Sequence, residues 1–351
     1  MVLDSAHPLW TKIARLPKVE LHRHLEGSLR LETLFEIART YDLDLPSDDP
    51  ETLRPYVQVV KGDSPDFIAY LEKFKWLRRF YVSPDLIARI VSECIADAAA
   101  DNIKYLELRF NPVALARLRG FALEQVVLWV AEAAERAQCD HNIKVRLILQ
   151  IGRDESVATA RRIAEIAVAA QSKGVVGLDL AGDELAYPAT PFTGVFRWAQ
   201  EKGLHITIHA GEVGPAANIR EAVERIGAER IGHGIRAIED PALVLLLAER
   251  GITLEMCPTS NLHTGAIATL SDYPLRHYLK QDVRVTINTD DPGISNTSLT
   301  DEYMLALQHM GIELHMLHQT ILYAAAAVFL PESERNELVT WFEEALVRLW
   351  E

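Results

Sequence analysis

Cysteine is scarce in this chain. Three occur in 351 residues, Cys94, Cys139 and Cys257, and no two stand in C-x-x-C spacing. That excludes a disulfide framework and a thiolate zinc site, and it fits a reducing compartment. Basic residues are in deficit too: 36 Lys and Arg face 50 Asp and Glu, a net charge of −14. Such a surface repels phosphate backbones and anionic lipid, so neither nucleic acid nor a membrane is an expected partner. Long apolar runs are missing. The longest, Ile321 to Leu330 (ILYAAAAVFL), falls far short of the roughly 18 residues that a bilayer span needs. The opening stretch MVLDSAHPLWTKIARLP has no apolar core of signal-peptide length and carries Asp4 early. No targeting segment is read there, and a cytoplasmic location is expected. Linker-like and low-complexity tracts are absent, and no G-x-G-x-x-G follows the first strand-like run, which weakens a dinucleotide-type open sheet.

What is present is an apolar fraction of 49%, enough for a large core. Short β-branched runs recur at 18–24, 103–110, 144–152, 175–182, 205–212, 229–235, 251–258 and 283–291. Helical periodicity fills most of the gaps, as in ESVATARRIAEIAVAAQSKG and PALVLLLAERG, each ending in Gly after a basic residue. Eight alternations of strand and helix predict a (β/α)8 TIM-type barrel. The spacing predicts extra helices between the first and second strands (about 29–102, with signals at 31–43, 66–80 and 84–100) and at the C-terminus (about 298–351). Residues 1–351 are read as a single domain.

The polar residues gather at one end of these strands. His22 and His24 close the first, His209 and Glu212 the fifth, His233 the sixth, and Asp290 with Asp291 the eighth. Residues two apart in a strand share a face about 6.5 Å apart, close enough for two imidazoles to reach one metal. A lone His-x-His is more often simply the end of a buried strand. The convergence of all these residues at carboxyl ends, where a (β/α)8 barrel keeps its chemistry, favours a metal site. Three imidazoles and a carboxylate suit zinc. Glu212 is placed beside such a metal as a general acid or base. Asp290 and Asp291 are adjacent, so they can serve one site only if the strand ends there; a turn or helix cap in TDDPG is the other reading. His7, His141, His277, His309, His315 and His318 fall in helices or loops and are read as surface or core residues.

The motifs ELHRHLEG, GLDLAGDE, TIHAGE, ERIGHG and INTDDP, in this order, resemble the adenosine deaminase family of metal-dependent amidohydrolases. The resemblance implies hydrolytic deamination of adenosine or 2′-deoxyadenosine, with a purine nucleoside or base as the small-molecule partner. It implies one Zn²⁺ per chain on His22, His24, His209 and Asp290, since GLDLAGDE offers no Lys for a second metal. Glu212 would protonate purine N1, His233 would hold the attacking hydroxide, a protonated Asp291 would meet N7, and the Gly182 N–H would meet N3. Adenosine deaminases generally carry Asp where this chain has Glu26, at the ribose; adenine deaminases of the superfamily show Glu there. Adenine, or a modified 6-aminopurine nucleoside such as aminodeoxyfutalosine, is therefore the alternative substrate, and a non-catalytic purine-binding barrel is the third reading. The family's apolar cover over the nucleoside would fall on Phe67, Ile68 and Leu71, which on pattern alone core packing explains better. Glu20, Asn288 and His205 are read as structural polar residues. Ser260 and His263 lie in the loop after the seventh strand without a fixed role.

Overall fold

The computed structural model describes residues 8–348 apart from 42, 44 and 48. Asp4 and His7 lie outside the described residues.

Eight strands form in chain order: β1 (Lys18–His24), β2 (Ile103–Phe110), β3 (Lys144–Gly152), β4 (Val175–Ala181), β5 (His205–Ala210), β6 (Arg230–His233), β7 (Thr253–Met256) and β8 (Arg284–Ile287). Each pairs in parallel with the next. The last strand reaches the first past the end of its ladder. His24 donates its N–H to the Asp290 carbonyl at 2.9 Å, and Asp290 donates to the His22 carbonyl at 3.0 Å. The sequence-derived strands are all present, but several end early. Glu212, Asp290 and Asp291 therefore stand in the loops just beyond β5 and β8 rather than within them.

Local signals set the helices between the strands. The helix Pro84–Ala100 starts where the Ser83 hydroxyl takes the Leu86 N–H and Pro84 fixes the first turn. Its Ile87, Ile90, Val91, Ile95 and Ala98 recur at helical spacing and are buried. Each of the Ile and Val side chains contributes roughly 1.5–3 kcal/mol on leaving water. The helix Pro241–Arg250 is capped by Asp240 and stops at Gly251, whose φ of +63° suits a residue without Cβ. The insertion holds the expected helices as Leu31–Tyr41, Phe67–Leu77 and Pro84–Ala100, and also Pro50–Val57, whose shortness and internal Pro55 hid its periodicity. Past β8 come Leu299–His309, Leu314–Ala326 and Glu332–Arg348, after a single turn at Pro292–Ser295.

The barrel interior is charged. Arg109 reaches Asp179 at 3.2 Å and Glu255 at 2.7 Å, while Arg230 reaches Glu255 at 2.6 Å and pairs with Glu107. Buried ion pairs are a costly way to gain stability. Here two of the carboxylates, Asp179 and Glu255, also hold histidines at the top of the barrel.

Candidate active site

Four side chains converge where β1, β5 and the loop after β8 meet. His24 Nε2 lies 3.3 Å from His22 Nε2 and 3.2 Å from His209 Nε2. Asp290 Oδ1 lies 3.2 Å from the Nε2 atoms of both His22 and His24. Ligand atoms about 2.0 Å from a shared tetrahedral ion stand about 3.3 Å from one another, so these spacings fit a zinc-sized cation. The second ring nitrogens agree. His22 Nδ1 faces Glu255 at 2.7 Å, His24 Nδ1 faces Gln150 at 2.8 Å, and His209 Nδ1 faces Asp179 at 3.0 Å. Each partner is an acceptor oxygen, so each Nδ1 carries the proton and each Nε2 lone pair is turned to the cluster. Burial brings His209 down to about 4, which keeps its imidazole neutral.

Asp290 and Asp291 reach one site because the backbone turns over between strand and helix. Asp290 has φ of +62°, a left-handed conformation that a non-glycine residue holds only when its surroundings impose it. The β8 ladder has already ended at Ile287. Burial and the Asp290 charge push the Asp291 carboxyl well above the usual range, so Asp291 carries a proton. Tyr70 donates its hydroxyl to Asp291 at 3.2 Å. Gly27 makes room for this carboxyl: a Cβ there would lie 1.7 Å from Asp291 Oδ1.

Glu212 stands 3.5 Å from His233 Nε2. Burial, then the charges of Asp290 and Glu184, raise its carboxyl well above the usual range, so it too holds a proton. Burial lowers His233 far below its ordinary value, leaving it neutral.

These groups floor a cavity of about 290 Å³. His24, His209, His233, Glu212, Asp290, Asp291, Gly182 and Glu26 all line it. Glu26 is buried, with one carboxylate oxygen accepting the Asn111 N–H at 3.0 Å and the other unpartnered. Gly182 has φ of +113°, which a side chain would strain. One expected lining residue departs from the pattern. Phe67 and Leu71 face the cavity, but Ile68 is 54% exposed and takes no part in the lining. The inward stripe of the helix Phe67–Leu77 is Phe67, Tyr70, Leu71 and Phe74, the i, i+3, i+4, i+7 face, and Ile68 is about 100° away around the axis. The segment after β7 is the short helix Pro258–His263 rather than a loop; its cap residue Thr264 lines the cavity, and Ser260 and His263 do not.

Several residues that hold the site had escaped notice in the sequence. Asp179, Glu255 and Gln150 orient the histidines from inside the barrel. Glu184 takes the backbone N–H groups of Gly211, Glu212, Val213 and Gly214 at 2.8–3.0 Å. For Asp179, Glu255 and Gln150 the signal is a polar residue inside an apolar strand, as in LILQIG and TLEMCP; Glu184, in the loop after β4, has none. His205 lies at the opposite end of β5, paired with Glu229 at 2.7 Å and stacked on Phe329, a structural role. His141, His277, His309 and His315 are exposed, and His318 is half-buried.

The sequence profile of the family described as adenosine deaminase matches residues 17–345. An adenosine deaminase from Erwinia tasmaniensis is 38% identical over 92% of this chain and 96% of its own. Among solved structures, the adenine deaminase of Arthrobacter aurescens superposes with a TM-score of 0.86 at 28% identity, covering 94% of this chain and 99% of its own. An amidohydrolase from Burkholderia ambifaria with bound Zn superposes with a TM-score of 0.87 at 25% identity, covering 99% of this chain and 96% of its own. With a closed run of eight parallel strands, a metal-suited cluster at its carboxyl end and a profile match along nearly the whole chain, this protein belongs to the adenosine deaminase family.

Proposed function

We propose that the protein hydrolyses adenosine or 2′-deoxyadenosine at C6, releasing ammonia and an inosine-type product. The observation that carries this reading is the buried Glu212 carboxyl 3.5 Å from His233 Nε2 at the edge of the metal-suited cluster, where burial raises the carboxyl and lowers the imidazole. Addition of water across N1=C6 needs a proton at N1 and an oxygen at C6 together. Glu212 gives its proton to N1 as the oxygen bonds to C6. The carboxylate left behind takes the proton shed by the attacking water and passes it to the amino group; as the C6–N bond breaks and C6=O forms, the C6 hydroxyl returns its proton to Glu212. His233 holds the attacking oxygen in line. Protonated Asp291 donates to N7, and the Gly182 N–H meets N3, which fixes the purine in one orientation.

His22, His24, His209 and Asp290 would hold one Zn²⁺ per chain, which when bound supplies water in its nucleophilic form at neutral pH. The donor set, its spacing and the orientation of the three imidazoles support that assignment.

The unpartnered Glu26 oxygen supports a nucleoside rather than a free base, because a ribose hydroxyl would satisfy it. Adenine is the second reading, favoured by the length of Glu26 and by the likeness to an adenine deaminase. Nucleotides are disfavoured, since the cavity lining sets Glu26, Asp154, Glu155, Asp183 and Asp290 against Arg78 and Arg117. We also read the chain as one domain. Leu53 and Leu77 of the insertion share the barrel's apolar core with Leu317 and Ile321 of the C-terminal helices.

The test is an ultraviolet assay of metal-analysed protein with adenosine, adenine and AMP side by side. Turnover of adenosine, abolished by chelation, is expected. Turnover of adenine alone would transfer the assignment to the base, and silence on all three would overturn it.

A further inference from the structure

Four imidazoles, not three, crowd the cluster. The His233 ring centroid lies 4.9 Å from that of His22 and 5.1 Å from that of His209. One ligand atom from each of His22, His209, His233 and Asp290 falls within 4.8 Å of the others, so distance alone would admit His233 to the metal. Something other than distance has to keep it out.

The difference lies on the far side of the rings. The Nδ1 atoms of His22, His24 and His209 each face an oxygen acceptor. His233 Nδ1 instead faces the side-chain amide nitrogen of Asn261 at 3.0 Å. An amide N–H₂ only donates, so His233 Nδ1 must be the acceptor and its proton must reside on Nε2. The amide is itself fixed: Tyr273 donates its hydroxyl to Asn261 Oδ1 at 2.8 Å, while the Tyr273 oxygen is engaged by the backbone of Cys257. All three side chains are buried, at 1%, 0% and 3% exposure for His233, Asn261 and Tyr273, so water offers no alternative partner.

We propose that Asn261, held by Tyr273, is a positioning residue that locks His233 in the tautomer with the proton on Nε2. That tautomer turns an N–H, not a lone pair, toward the cluster. It bars His233 from joining the metal ligands, and it makes His233 a hydrogen-bond donor to the oxygen that attacks C6. The second consequence rests on the deaminase reading given above; the first does not.

The experiment is ¹⁵N-histidine NMR of the zinc-loaded protein, with the His233 signals assigned by their loss in His233→Gln. The expected result is an acceptor-type Nδ1 and a protonated Nε2 for His233, opposite to the three ligand histidines. A protonated Nδ1 on His233 would overturn the proposal. Asn261→Asp preserves shape and replaces the donor by an acceptor, so it is expected to reverse the His233 pattern. It should also alter the visible spectrum of the cobalt-substituted protein, as a fifth donor turns to the ion. In turnover, Asn261→Asp is expected to lower kcat about 100-fold with KM within threefold, and Asn261→Leu, which leaves the tautomer unfixed, about 10-fold. Equal losses in both variants with an unchanged cobalt spectrum would mean a packing role only and sink the idea. Tyr273→Phe frees the amide without moving the ring, and a mixed His233 pattern is expected from it should Asn261→Asp not fold. If His233→Gln keeps full deaminase activity, the functional reading fails while the tautomer assignment is still decided by the spectrum.

Discussion

Glu184 holds Glu212 by the backbone: its Oε1 accepts the Glu212 N–H at 2.8 Å, and its two oxygens together take the N–H groups of the whole turn from Gly211 to Gly214. The turn after β5 is thus wrapped on a carboxylate supplied by the loop after β4. Glu184→Ala leaves four N–H groups short of a partner, at about 1 kcal/mol or more each where water cannot reach them. We expect a thermal midpoint lowered by several degrees and kcat reduced about 10- to 100-fold with zinc content retained. Calorimetry with metal analysis and steady-state kinetics would check this, and unchanged kcat in a folded variant would count against the role.

Glu212 is assigned the proton transfer itself. Glu212→Gln keeps the size of the side chain and removes the transferable proton. A loss of about 10³-fold in kcat is expected, with metal content unchanged and substrate still bound. A variant that retains its zinc and its full turnover would remove Glu212 from the mechanism.

The corrected face of the helix Phe67–Leu77 makes a paired prediction. Phe67 faces the cavity, so Phe67→Ala should raise KM about 10-fold with little change in stability. Ile68 faces solvent, so Ile68→Ala should alter neither. Kinetics on the two variants together separate a binding surface from core packing.

Glu302 gives a pH dependence away from the site. It is buried, accepts the Thr259 N–H at 3.1 Å and the Thr297 hydroxyl at 2.8 Å, and burial raises it to about 7. The folded chain therefore binds this proton more tightly than the unfolded chain does. Its contribution to stability is full below the unfolded pKa and is lost as pH rises through about 7, on the order of 3 kcal/mol in all. Glu302→Gln can keep both contacts without the charge. It should melt higher than the parent at pH 8, with the gap closing by pH 5. Parallel melting curves at both pH values would refute the assignment.

Metal removal has a predicted cost in stability as well as activity. Zinc present at about 1,000 times its dissociation constant adds about 4 kcal/mol to the folded state, so chelation should lower the thermal midpoint by roughly 5–10 °C. His22→Ala should reproduce that shift and abolish the response to chelator. An unchanged midpoint on chelation would argue against a tightly held ion.

The barrel was legible because its signals are local. Eight β-branched runs separated by capped, periodic helices leave few other arrangements, and a His-x-His ending such a run places both imidazoles on one face. What escaped notice depends on contacts distant in sequence. Nothing near Glu255 says that it meets His22, 233 positions away, and nothing near Glu184 says that it wraps the turn at Gly211. The left-handed turn at Asp290 is likewise imposed by barrel closure, and Asp, unlike Gly, does not announce it. Ile68 was misplaced for a different reason. On a short helix with apolar residues around much of its circumference, one position shifts the face by about 100°, and only packing decides which stripe turns inward.

Asp290 offers its carboxylate to the cluster and its backbone to the first strand, in bonds to His22 and His24. The same few atoms thus finish both the barrel and the proposed ligand set. A growing chain on the ribosome carries His22 and His24 from the outset, yet it has no complete grip on an ion until residue 290 has emerged. A hold by all four residues cannot form before residue 290 is made, and only the C-terminal helices follow the seam.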